Sequence, residues 1–268
     1  MKIVVCAKQV PDTTEVRIDP VTNTLIREGV PSILNPDDAI ALETAVDLRG
    51  SFPGSEVYVI TMGPMQAEKM LRECLARGAD HVILLNGREF AGGDTFVTAY
   101  TLAAAIRKLG DVGLIITGRQ AIDGDTAQVG PQIAERLGIP QVTYAERITS
   151  IDGDVMTVDR QTGDGYERVR VQLPALLTAI KGLSEPGYMS VLGICEAYTK
   201  DIQIWTIKDI DLSPEETGLK ASPTKVQRSF TPQPKGAGVV WESDASSMAR
   251  ELIRSLNERH ALREGIIQ

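Results

Sequence analysis

Arg119, Gln120 and Thr126, set around Gly118 and Gly124, are the residue types that hold a phosphate. They fall in residues 114–131, Leu-Ile-Ile-Thr-Gly-Arg-Gln-Ala-Ile-Asp-Gly-Asp-Thr-Ala-Gln-Val-Gly-Pro. The arginine and glutamine are donors, the threonine offers a hydroxyl, and Gly124 lets a ligand come close to the backbone. Amides at the start of a helix bond phosphate oxygens, and the helix dipole favours their charge. Asp123 and Asp125 do not suit a phosphate, so one is expected to cap the helix and the other to face a sugar hydroxyl. Three further sets could join the site. Cys6 and Ala7 are small residues at the end of the first strand, where an adenine or ribose could approach, although buried cysteine is also common. Residues 35–38, Asn-Pro-Asp-Asp, could bind or could simply start a helix. Asp94 and Thr95 follow a Gly-Gly pair; an anion could sit there, but a plain helix cap is the better reading.

The elements that must position these residues are legible in the hydrophobic pattern. Residues 2–7 form an apolar strand, central because both faces are apolar. Alternation around Pro-Val-Thr-Asn at 16–27 predicts a surface hairpin. Apolar residues at 39, 42, 45, 46 and 48 give a helix from Asn35 through Leu48. Strands follow at 56–62, 81–85 and 111–117, with helices at 66–78 and 95–109. Residues 114–117 end at Gly118, and the helix beyond the loop runs to Gly138. Strands alternating with helices predict an open, mostly parallel sheet with helices on both faces. A loop at the carboxyl end of a strand is where such sheets bind nucleotides. Neither Gly-x-Gly-x-x-Gly nor Gly-x4-Gly-Lys-Ser/Thr is present. Strands at 141–148, 154–160 and 166–173, joined by Asp-Gly and Gly-Asp-Gly turns, predict an antiparallel set. An apolar strand at 173–180 returns to the main sheet. Beyond a short helix, residues 201–235 carry Trp205 and Phe230 but little periodicity. They read as an arm laid over a partner, followed by an amphipathic helix at 244–262. The domain division is thus 1–195 for an α/β nucleotide or flavin domain and 196–268 for an arm and helix.

Composition narrows the chemistry. The chain has 268 residues and a net charge of -8, with 4% aromatics, which argues against nucleic acid. Three widely spaced cysteines and two histidines, His81 and His260, suggest neither a disulfide framework nor a histidine metal site. No apolar run reaches the ~18 residues of a membrane span. The N-terminal apolar run is short for a signal peptide, so a cytoplasmic location is expected.

Four stretches resemble the β subunit of electron-transfer flavoproteins: Ile-Val-Val-Cys-Ala-Lys-Gln-Val-Pro-Asp at 3–12, Leu-Asn-Pro-Asp-Asp-Ala-Ile-Ala-Leu-Glu-Thr-Ala at 34–45, the 114–131 loop, and Val-Asp-Arg at 158–160 followed by Gly-Tyr-Glu and Leu-Pro-Ala-Leu-Leu-Thr. Gly163 stands where the family has an acid. The resemblance implies a Rossmann-like fold and pairing with a flavin-carrying α subunit. It places a nucleotide among Cys6, Ala7, Asn35, Asp38, Thr61, Gly63, Gly118, Arg119, Gln120, Asp123, Gly124, Asp125, Thr126, Ala127, Gln128 and Val129. In the mitochondrial type that nucleotide is AMP, and the loop reads roughly Gln-Ala-Ile-Asp-Asp-Asp-Cys-Asn-Gln-Thr-Gly. Here Gly124 replaces the second acid and Ala127 the asparagine, which suits a diphosphate. The sequence therefore resembles the electron-bifurcating anaerobic group, whose β subunit binds FAD and takes hydride from NADH. Arg119, Gln120 and the loop amides would hold the diphosphate and Thr126 would tune the flavin. Gly63 would admit the nicotinamide, with Asp94 and Thr95 as further NAD contacts. No catalytic acid or base is expected. Partners would be the α subunit, an acyl-CoA-type or other flavin dehydrogenase, and a ferredoxin-like acceptor. Glu185, Val191 and Leu192 match the family's partner-docking loop, although Gly187 replaces its arginine. The alternatives are an AMP-holding structural subunit and a nucleotide sensor without redox chemistry.

Overall fold

The computed structural model describes residues 1–12, 31–227, 236 and 238–261. The hairpin expected at 16–27 lies outside these residues, as do Phe230 and Leu262. The chain divides into two units, Met1–Arg228 and Ser229–Gln268.

The first unit runs β1 (Lys2–Cys6), β2 (Gln9–Pro11), β3 (Ser32–Leu34), α1 (Pro36–Leu48), β4 (Glu56–Met62), α2 (Glu68–Ala76), β5 (His81–Leu85), α3 (Thr95–Leu109), β6 (Val112–Gly118) and α4 (Val129–Leu137). It continues with β7 (Gln141–Asp152), β8 (Val155–Thr162), β9 (Gly165–Gln172), β10 (Ala175–Ala179), α5 (Val191–Ala197), β11 (Ile202–Trp205) and α6 (Gly218–Ala221). Nine strands form one sheet in the order β11-β5-β4-β1-β6-β10-β7-β8-β9, while β2 and β3 pair by themselves. Every pairing from β11 to β7 is parallel, and β8 and β9 add an antiparallel extension. The expected open α/β sheet is thus present.

The apolar runs dictate this layering. Ile3 and Val5 face one core with α1 and α2, and Val4 and Cys6 face the other with α3 and α4. A strand buried on both faces cannot alternate with polar residues, which is why β1 reads as a continuous apolar run. α4 closes on Gly138 at φ 67°, the left-handed cap glycine adopts without strain. β10, buried along its whole length, inserts between β6 and β7.

Two details differ from the sequence reading. The helix expected from 66 opens as a 3-10 turn, Met65–Ala67, before α2. Residues 202–205, read as part of an irregular arm beyond residue 195, are instead the edge strand β11, parallel to β5. Behind it the turn Ile207–Ile210 buries both isoleucines, and the Lys108 ammonium lies 4.4 Å from the Trp205 ring centroid. Four residues are too few to show a period, so this strand is visible only through its partner.

In the second unit α7 (Ala245–Glu258) begins at Asp244, whose carboxylate accepts from the amides of Ser246 and Ser247. No residue of α7 is buried, and Leu252 and Ile253 are exposed. Among the described residues no helix is long and apolar enough to cross a membrane.

Candidate nucleotide-binding site

The chain leaves β1 toward β4 on one side and later returns to β6 on the other, so strand order reverses at the β1–β6 pair. Ligands of open parallel sheets bind in the crevice at the carboxyl end of such a pair. Here that end is made by Cys6, Ala7 and Lys8 after β1, Thr61 to Gly63 after β4, and Gly118 with its loop after β6. A narrow crevice beside it is lined by Lys8, Thr61, Met62, Gly63 and Gln66. A larger concavity of about 880 Å³ lies at the opposite end, between Phe52 and the β7–β8 turn. It offers no helix N-terminus and none of the expected residues.

The loop between β6 and α4 is held from below. Asn35 is fully buried; its Nδ2 donates to the Gln120 carbonyl at 2.9 Å and its Oδ1 accepts from the Ile122 amide at 3.1 Å. It stands at the N-cap position of α1 but makes no side-chain cap bond. Asp38, also buried, accepts from the Lys8 amide at 2.8 Å and the Gly118 amide at 2.9 Å. Burial pushes its carboxyl up to about 7, against the pull of those two amides. Burial, then the charge of Asp38, pushes the Cys6 thiol up to about 12, so Cys6 is a neutral wall. Gly130 allows α4 to lie close on the sheet: a Cβ there would sit 2.7 Å from Thr117 Oγ1 and 2.9 Å from Thr178 Cγ2.

The loop's own side chains are arranged differently from expectation in one respect. Among the described residues neither aspartate stands at the N-cap position of α4. Asp123 accepts from Lys8 Nζ at 2.6 Å, and Asp125 accepts from Gln120 Nε2 at 2.7 Å. The N-cap position of α4 is Gln128, which makes no cap bond with its side chain. Its Oε1 instead accepts from the Thr95 hydroxyl at 2.8 Å. Among the described residues the amides of Val129 and Gly130 therefore have no intrahelical or side-chain partner, and Pro131 has no N–H to satisfy. Arg119 Nε lies 3.5 Å from Asp37 Oδ2, yet among the described residues neither atom makes a hydrogen bond. Asp125 and Ala127 adopt φ of 49° and 51°, a left-handed conformation that costs a non-glycine residue about 1–3 kcal/mol. A Cβ on Gly124 would meet nothing, and Thr126 is exposed. These features, taken among the described residues, suit an anionic ligand: a helix start without a side-chain cap, a guanidinium whose Nε makes no hydrogen bond, and open space at Gly124.

Other expected residues lie apart. Asp94 is the N-cap of α3, accepting from the Val97 amide at 3.1 Å, and its second oxygen accepts from the Thr224 amide at 2.9 Å. Thr95 donates to Gln128 at the end of the loop and accepts from Gln132 of α4 at 3.5 Å. Glu185, Val191 and Leu192 sit on the loop before α5 and on α5 itself, which packs against α2. That loop is pinned where the Gly187 carbonyl accepts from Arg77 at 2.8 Å and its amide donates to Glu43 at 3.1 Å. Val191 and Leu192 remain exposed, with Tyr188 fully so. Sequence reasoning missed Lys8 as the partner of Asp123 and Gly130 as the packing glycine. A glycine in the first turn of a helix was the available signal for the latter.

Residues 22–210 match the electron transfer flavoprotein domain. The chain belongs to the electron transfer flavoprotein family. It is 57% identical over 263 residues to the caffeyl-CoA reductase-Etf complex subunit CarD of Acetobacterium woodii, covering 98% of this chain and 100% of that one. It is 54% identical over 260 residues to the electron transfer flavoprotein subunit beta of Clostridium acetobutylicum, covering 97% and 99%. It is 46% identical over 270 residues to the acryloyl-CoA reductase electron transfer subunit gamma of Anaerotignum propionicum, covering 98% and 100%. The similarity to electron-transfer flavoprotein β subunits thus extends over nearly the whole chain.

Proposed function

We propose that this chain is the β subunit of a cytoplasmic, heterodimeric electron-transfer flavoprotein. It binds FAD in the β1–β6 crevice and accepts hydride from NADH. It then divides the electrons between a low-potential, ferredoxin-like acceptor and the flavin of the α subunit. From there they reach a partner dehydrogenase or reductase, of which the acyl-CoA type is favoured by the names of two relatives. The observation carrying the FAD assignment is the open space at Gly124 beside the uncapped start of α4. A loop without bulk or a side-chain cap at that point suits two phosphates. The amides of Val129 and Gly130 and the side chains of Arg119 and Gln120 would hold them, with Thr126 free to bond a ring atom. When bound, a flavin supplies hydride acceptance and electron release, while the protein supplies position and field. Asp94 is engaged as a cap, so among the residues proposed for NAD, Thr95 and Gly63 are the better placed. The exposed Tyr188, Val191 and Leu192 suit docking of a partner protein, with Glu185 beside them.

The second reading is AMP in the same crevice, which the short helix-start site would also hold. Release of cofactors from the isolated heterodimer decides between them. Two flavins per heterodimer are expected; one flavin plus AMP would leave this chain a structural subunit, and no flavin would remove the redox role. Titration with NADH, with and without a ferredoxin-like acceptor, then tests bifurcation.

A further inference from the structure

We infer that Asp38 is a positioning residue for the nucleotide loop, a carboxylate clamp that ties the ends of β1 and β6 together and so sets where the loop presents its amides. This rests on the nucleotide reading above. The parallel ladder between the two strands ends at Cys6 and Thr117. Beyond it the chains part, which is what opens a crevice at a reversal of strand order, and the amides of Lys8 and Gly118 lose ladder partners. A buried amide without an acceptor costs about 1–3 kcal/mol. Asp38, from the first turn of α1, accepts both, one on each oxygen. Its charge also lies at the favourable end of the α1 dipole. The fit leaves no slack, because a Cβ on Gly118 would run into the Asp38 carboxylate and the Asp37 backbone. One residue before Pro36, Asn35 brackets Gln120 and Ile122 of the same loop. A single helix start thus holds the end of β1, the end of β6 and the loop that follows.

Only the ionised carboxylate accepts on both oxygens; a protonated one turns a donor toward one amide. Burial raises the Asp38 pKa from 3.8 to about 7, so both forms are present near neutrality. The charged groups around it are Asp37 on α1, Arg119 beyond β6, and Lys8 paired with Asp123. The Cys6 and Cys74 thiols are both pushed up by burial and stay protonated. Two pH dependences of opposite sign follow. Because the folded pKa is raised, Asp38's contribution to fold stability is present below 3.8 and lost as pH rises through about 7. Nucleotide affinity runs the other way, rising as the clamp ionises.

The test is binding of FAD to the full-length chain from about pH 6 to about pH 8, where its diphosphate does not titrate, with AMP, whose phosphate titrates near ~6, as comparison. If only the ionised form is competent, apparent affinity for FAD rises about tenfold across that range, in step with the competent fraction. Asp38→Asn, which cannot accept on both sides, is expected to bind FAD about tenfold more weakly at the upper pH and to lose the pH slope. Asn35→Ala, which also removes a hydrogen bond that lowers the Asp38 pKa, is expected to weaken binding and to move the rise to higher pH without abolishing it. A flat wild-type profile, which needs no variant, or Asp38→Asn binding as tightly as wild type, overturns the clamp while leaving the nucleotide reading intact. Failure of the wild type to bind either FAD or AMP overturns both.

Discussion

Gly130 illustrates how a residue with no chemistry of its own can place a site. Its missing side chain lets the first turn of α4 sit against Thr117 and Thr178, at the end of the loop proposed to hold the nucleotide. Gly130→Ala is expected to cost about 1–3 kcal/mol, as overpacking does in a tight interior. Urea unfolding would measure that loss. The same shift of α4 should weaken nucleotide binding, because the Val129 amide moves with it. Asn35 carries the opposite lesson. Its type and its place before Pro36 describe a cap, yet its side chain serves the Gln120 and Ile122 backbone. Asparagine offers the same donor and acceptor for either task, so residue type alone left both open.

At the scale of elements, the start of α3 is where three segments meet. Asp94 caps α3 with one oxygen and holds the Thr224 amide with the other, while the Ser222 hydroxyl accepts from the Asp94 amide. Thr95 links the same turn to Gln128 at the end of the loop between β6 and α4. Losing a cap costs roughly 0.5–2 kcal/mol, and Asp94→Ala loses a tether as well. It is expected to lower the thermal midpoint and to raise proteolytic cleavage at 222–227, whereas Asp94→Asn, still able to cap, should lose less. An unchanged cleavage pattern in Asp94→Ala would show that the segment is held by other contacts. β11 belongs to this scale too. Ile-Gln-Ile-Trp carries no readable period, and only the free edge of β5 makes it a strand.

For the molecule as a whole, the division after Arg228 separates the sheet from α7. The first unit contains both apolar cores. A chain ending at Arg228 is therefore expected to keep a cooperative thermal transition within a few degrees of the full chain's. If residues beyond it serve the proposed α subunit, that shortened chain should fail to co-purify with it; retention of the complex would place the interface elsewhere. The layered fold was legible from sequence because hydrophobic period is a local property. Apolar runs and helical spacing placed β1, α1, β4 to β6 with the helices between them, α4, the antiparallel extension and the return of β10, but not the short β2–β3 pair. What the tertiary structure decided was the pairing of groups distant in the chain. Asp38 meets Gly118 across 80 residues, Lys8 meets Asp123 across 115, and Asp94 meets Thr224 across 130. Sequence spacing carries no record of such meetings. A carboxylate becomes a clamp, a cap or an ion-pair partner only when folding brings one particular donor within hydrogen-bond reach and removes the water that would otherwise compete for it.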